Sequence, residues 1–107
     1  VRERLLASMR AEDLSTRLAA IESAGVVHDA GLAEPLFEGT RDAHVSLRRA
    51  AITALAACDE ELAASRAIEL LRDAEPSVRI AAARVLAQHR HAAAPDALAA
   101  ALESSED

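Results

Sequence analysis

The chain has 107 residues, a formal net charge of −6, and 51% hydrophobic residues with one aromatic side chain, Phe37. Its length suits one compact unit, and its acidic balance argues against general nucleic-acid binding, whose affinity comes largely from neutralised phosphates. No apolar run reaches the roughly 18–20 residues of a membrane span, and the lone cysteine, Cys58, has no partner for an internal disulfide, which suits a reducing cytoplasm.

Alanine dominates the apolar residues; it is the best helix former and lets helices approach closely, so every element is expected to be helical. Val1 to Met9 places Leu5, Leu6 and Met9 at helical spacing and reads as a leading helix, either a cap or the second half of an earlier repeat. Asp13 is a good N-cap for a helix expected to end near Ala24, stopped by Gly25, with Leu14, Leu18, Ile21 and Ala24 or Gly25 as its apolar stripe. A turn over His28 to Gly31 precedes a short helix from about Leu32 to Glu38, where Pro35 is tolerable only in the first turn. Val45 to Ala57 predicts a long helix with Leu47, Ala50, Ala51, Ala54 and Leu55 inward and Arg49 and Thr53 outward. Asp59 caps its partner, Leu62 to Leu71, which is expected to bury Leu62, Ala67, Ile68 and Leu71 and to expose Ser65, Arg66 and Glu69. Pro76 opens the next long helix, because its missing N–H costs nothing at the first helical position, and that helix runs to about His89. A last helix is expected from about Asp96 to Glu103, followed by an acidic tail over 104–107.

One phrase occurs twice in this chain. Arg41, Asp42, Arg48, Ala50, Ala51 and Leu55 recur as Arg72, Asp73, Arg79, Ala81, Ala82 and Leu86, at a constant offset of 31 residues. A fainter copy lies one period upstream, where Arg10, Ser15, Arg17, Ala19, Ala20 and Ile21 match Arg41, Ser46, Arg48, Ala50, Ala51 and Ile52. A fixed period of that size signals stacked repeats. The pattern Asp-x-x-x-x-Val-Arg-x-x-Ala-Ala-x-x-x-Leu, spanning about residues 10 to 103, resembles HEAT repeats, and its short period is most similar to the variety found in phycobilin lyases. The resemblance implies an all-α, right-handed α-solenoid of about three helix pairs plus the leading helix 1–9, with repeats at about 10–40, 41–71 and 72–103. It also implies that the aspartate and the arginine six residues later form a structural ladder, here Asp42, Arg48, Asp73 and Arg79. Repeat one departs from the pattern because Ala11 replaces the aspartate while Arg17 remains, so the ladder is expected to be weakest there.

Candidate chemistry is sparse. His28, Cys58, His89 and His91 all fall at turns, but repeats lie roughly 8–10 Å apart and zinc ligands must sit about 2 Å from one ion, so no metal is expected. Deoxyhypusine hydroxylases share the repeat type and hold iron through His-Glu dipeptides; this chain has none, and His28-Asp29 stands alone. Cys58 is followed by Asp59, Glu60 and Glu61, which suppress a thiolate, and no Ser-His-Asp grouping or glycine-rich phosphate loop occurs. The expectation is therefore no enzyme and no cofactor.

What remains is surface. In stacked helix pairs the second helices line the concave side, which here would carry Glu34, Glu38, Ser65, Arg66, Glu69, Asp96 and Ala100. The final helix adds Leu98 and Leu102 at an end with no polar cap. The binding candidates are thus Glu34, Glu38, Arg66, Glu69, Leu98 and Leu102. The expected role is a non-catalytic protein–protein interaction or scaffolding module that binds another protein, a second copy, or the remainder of a longer chain. The alternative is an accessory subunit of a chromophore-lyase system. A helical-repeat DNA-repair enzyme would want a basic groove with aromatic residues, and a membrane partner is not expected either. Every basic residue is Arg and Asn is absent, as in proteins of GC-rich bacterial genomes; the start at Val1 suggests a piece of a longer chain.

Overall fold

A computed structural model describes residues 2–89, with the side chain of residue 89 excepted. Among them are six α-helices and no strand: α1 Arg2–Met9, α2 Leu14–Val27, α3 Ala33–Gly39, α4 Val45–Cys58, α5 Glu60–Leu70 and α6 Pro76–His89, with a 3-10 turn at Ala30–Leu32 before α3. None of these helices is long and apolar enough to cross a membrane. The long helices α2, α4 and α6 pack side by side in that order, and α3 and α5 lie against α4. The core between them is made of leucines set among alanines, including Leu32, Leu36, Leu47, Leu55 and Leu86, all almost wholly covered.

Local chemistry explains the helix ends. Asp13 caps α2 by accepting from the Thr16 amide at 2.9 Å, and Asp59 caps α5 by accepting from the Leu62 amide at 3.1 Å. Helix α2 does not stop at Gly25; it continues to Val27 and is closed by His28, whose φ of 58° is left-handed. Gly25 serves packing instead: a Cβ there would come within 3.3 Å of the Ala54 Cα, so its bare backbone allows α2 to approach α4 closely. The α2 stripe is correspondingly Ala20, Ile21 and Ala24, whereas Leu14 is 36% exposed. In α5 the buried set is Ala63, Ala64, Ala67 and Leu70, and the expected Leu62, Ile68 and Leu71 are only half-buried. Alanines face the core there because α4 and α6 both press on α5, leaving the larger side chains at its margins. Arg2 clasps Asp29 through two bonds of 2.8 Å and ties α1 to the turn before α3.

Candidate functional site

The arginines of the repeated phrase lie at the same place in successive first helices. Arg48 of α4 donates from Nε and Nη2 to the Asp73 carboxylate at 3.0 and 3.2 Å, and from Nη1 to the Asp42 and Ala43 carbonyls at 2.8 and 3.1 Å. Arg79 of α6 makes the same turn contacts, to the Asp73 and Ala74 carbonyls at 2.7 and 3.3 Å. Arg17 of α2 reaches Asp42 at 3.3 Å, and its buried Nε has no partner among the described residues. Burial raises the Asp73 carboxyl pKa, but the Glu75 amide and the Arg48 guanidinium outweigh it and hold the group below its ordinary value. Asp42 is likewise lowered against its burial, by the amide and ring of His44 and then by Arg17. The four residues Asp42, Arg48, Asp73 and Arg79 thus belong to one connected set of contacts.

Beside this ladder, α1 and α3 flank a recess of about 550 Å³. Leu6 and Met9 of α1, Ile21 of α2 and Pro35 of α3 give it an apolar lining. Glu34 and Glu38 line it one helical turn apart; both are exposed, and neither forms an ion pair among the described residues. Arg10 and Arg17 bring positive charge to the same recess, the latter already engaged by Asp42. Such a site can receive an aliphatic stem with a polar head, because apolar burial and carboxylate pairing are offered side by side.

Arg66 and Glu69 lie on α5, apart from that recess, and pair with each other at 3.2 Å. Arg66 is not the exposed residue that its polarity suggested: its side chain is only 13% exposed. It donates from Nε to the Thr40 hydroxyl at 2.8 Å and lies 5.6 Å from the Phe37 ring centroid, with Arg41 at 4.8 Å from the same ring. Sequence reasoning missed this cluster because Phe37, Thr40 and Arg66 do not repeat: one period after Phe37 and Thr40 stand Ile68 and Leu71, and one period after Arg66 stands Ala97. The available signal was the chain's one aromatic residue three positions before a threonine that ends a helix. Leu98 and Leu102, with Asp96 and Ala100, lie outside the described residues.

The turn residues considered as metal ligands have other partners. The His28 ring bonds the Ala57 carbonyl at 3.0 Å, and the Cys58 thiol donates to the Ala24 carbonyl at 3.4 Å. Burial, more than the neighbouring carboxylates of Asp29 and Asp59, pushes the Cys58 thiol pKa up. Among the described residues no group of three or more His, Cys, Asp or Glu side chains could hold a metal ion. His91 and the side chain of His89 lie outside them.

No curated protein matches the chain. The family model for HEAT repeats matches residues 33–107, beginning at α3 and so taking in both strong copies of the repeated phrase. With helices alone among the described residues and the long helices packed in series, the chain belongs to the HEAT-repeat family.

Proposed function

We propose that this chain is a non-catalytic protein-interaction module and that its second-helix side, at Glu34 and Glu38, receives a partner protein. HEAT repeats generally mediate protein–protein interaction. The observation that carries the reading is the recess between α1 and α3, where two carboxylates without ion-pair partners among the described residues border Leu6, Met9 and Pro35. Glu69 extends the surface along α5, with the mostly covered Arg66 holding it through their 3.2 Å pair, and Leu98 and Leu102 offer a second contact, to another copy or to the continuation of a longer chain. The whole is a right-handed stack of three helix pairs at about 10–40, 41–71 and 72–103 with the leading helix in front; the alternation of long and short helices from α2 to α6 and the packing of α5 on α4 support that division. The single cysteine and the exclusive use of arginine support a bacterial cytoplasmic setting.

The test is charge reversal. A partner captured with the native chain is purified and titrated against native protein and the Glu34→Arg/Glu38→Arg variant; the variant binds about tenfold more weakly, as expected when central charges of an interface are inverted. Unchanged affinity removes the recess from the interface. Light scattering of native chain beside Leu98→Glu and Leu102→Glu tests the end contact, and a monomer indifferent to both variants removes it. The lyase-accessory reading rests on the 31-residue period alone, and a titration with free bilin that shows no spectral change removes it.

A further inference from the structure

The face formed by the first helices carries a second concavity. A groove of about 620 Å³ runs over α4 between α2 and α6. Its floor is low because α4 presents Ala50 and Ala54, while Leu18 and Val26 line it from α2 and Ile80 from α6. Val26 is 78% exposed and Ile80 53%, so these are large apolar side chains left in water. The repeat register shows what is unusual here. Leu18, Arg49 and Ile80 are equivalent positions one period apart, as are Glu22, Thr53 and Arg84. A cation therefore sits between two aliphatic residues in the first row, and the second runs from acid to base. Arg49 and Arg84 are exposed and make no ion pair among the described residues, in a chain whose net charge is −6.

We propose that this groove binds one amphipathic helix of a partner protein, with an aliphatic stripe on the alanine floor and acidic residues paired with Arg49 and Arg84. A helix satisfies its own backbone hydrogen bonds, whereas an extended segment needs a partner edge, and the groove is walled by helices, which offer none. Small floor residues let the visiting helix come close, since interaxial distance is set by the side chains at the contact. A second copy using the same groove fits poorly: a two-fold axis along α4 sets arginine against arginine at position 49, and two concave faces leave the space between them unfilled. This site shares no lining residue with the recess at Glu34 and Glu38, and the proposal does not depend on that recess.

Displayed libraries of helix-favouring peptides of about 14 residues, four helical turns, are selected on the full chain. The recovered peptides are then synthesised as probes for fluorescence anisotropy. The expected winners carry aliphatic residues at i, i+3, i+4 and i+7 flanked by Asp or Glu. Their affinity falls about tenfold in Arg49→Glu/Arg84→Glu and to a similar extent in Ile80→Asp, with far-UV circular dichroism unchanged, while Glu34→Arg/Glu38→Arg leaves it intact. Lysine-for-glutamate probes regain affinity for the Arg49→Glu/Arg84→Glu chain, which shows that the variant still folds and that charge pairing is the cause. Any of four results overturns the proposal: no enrichment, enrichment of basic or extended peptides, winners indifferent to the groove variants, or a dimer that occupies the groove.

Discussion

The two rungs of the arginine–aspartate ladder stand one period apart and differ in most of their contacts. Arg48 makes two bonds to Asp73 and two to the carbonyls of its own turn, whereas Arg17 makes one bond of 3.3 Å and keeps a buried Nε without a partner among the described residues. The arginine is the same in both; the turn before it is not. Asp42 and Asp73 each fold back to accept the amide two residues on, from His44 and Glu75, both at 2.9 Å. Turns of this kind mimic a backbone turn. They bring the carbonyls of residues 42 and 43, and of 73 and 74, to the arginine six positions after the aspartate. In repeat one that position is Ala11, and the aspartate has moved two places, to Asp13, where it caps α2 through Thr16. A repeat with one aspartate can thus shape the turn or cap the helix, and only the first choice holds the arginine from both sides.

The largest effect expected from breaking this contrast is at Asp73. Asp73→Ala leaves Arg48, 16% exposed, without its carboxylate and also undoes the turn that seats Arg79. Stranding a largely covered charge costs ~3 kcal/mol, while Asp42→Ala also undoes a turn, the one that seats Arg48, but releases only one bond of 3.3 Å to Arg17 and so costs less. Urea denaturation of the two variants gives the difference directly, and equal midpoints would falsify the ranking of the rungs.

Acid acts on the same groups without mutation. The Asp42 and Asp73 carboxyls are held below the ordinary aspartate value of 3.8, so the unfolded chain binds their protons more readily than the folded one. The stability they contribute is complete above that value and is lost as pH falls through it and below. Denaturation midpoints followed downward from about pH 6 to about pH 3 drop steeply in native protein and less in Asp73→Asn. Asp13 and Asp29, also lowered, maintain a residual slope.

Arg79→Ala comes next. It removes the two carbonyl bonds of 2.7 and 3.3 Å, for about 1–2 kcal/mol, while Arg84→Ala, on the exposed side of the same helix, stays within about 0.5 kcal/mol. Indistinguishable thermal midpoints for the pair would place Arg79 outside the ladder.

Much of this was legible because it repeats. Asp42 and Asp73, with Arg48 and Arg79, occur at identical phase, and their contacts lie where the period puts equivalent residues. What failed to read was whatever the period does not carry. Gly25 looked like a helix stop, since a missing Cβ marks a C-terminus and a close helix crossing equally well; only the 3.3 Å approach to Ala54 tells them apart. The α5 stripe was misplaced because leucine and isoleucine outweigh alanine in any hydrophobic pattern, although an alanine fills a tight interface better. At the candidate site, Glu34 and Glu38 could be placed from helix phase, but the recess they border needs α1, which lies outside the strong copies. The Arg66–Thr40–Phe37 cluster joins α5 to the end of α3, and the lone aromatic ahead of Thr40 marks one half of it without naming Arg66 as the other.

The weak rung also invites repair. Ala11→Asp restores the residue that repeats two and three share, and its carboxylate can accept the amide of Asp13 as Asp42 accepts that of His44. The turn then offers its carbonyls to Arg17, and a gain of about 0.5–1 kcal/mol is expected. A loss would mean that Asp13 cannot cap α2 beside a second carboxylate, which a companion Asp13→Ser variant, retaining a capping oxygen, distinguishes by recovering the gain.

The smallest effect is the most discriminating about why Arg17 is held by one bond. His44 places Nδ1 2.9 Å from Asp42 Oδ1, the oxygen that already accepts the His44 amide, so the ring helps to hold that oxygen on the turn while Arg17 reaches only Oδ2. At the equivalent place in repeat three, Glu75 contributes its amide alone to Asp73, and Arg48 takes both oxygens. His44→Ala removes the ring and keeps the amide, leaving Asp42 free to turn both oxygens toward Arg17. Because the ring is half exposed, its own bond contributes little, and the net change stays within about 0.5 kcal/mol. The informative reading is therefore a double-mutant cycle with Arg17→Ala. If His44 restrains the rung, Arg17→Ala costs more in the His44→Ala background than in the native one. An identical cost in both backgrounds assigns the weakness to Ala11 alone.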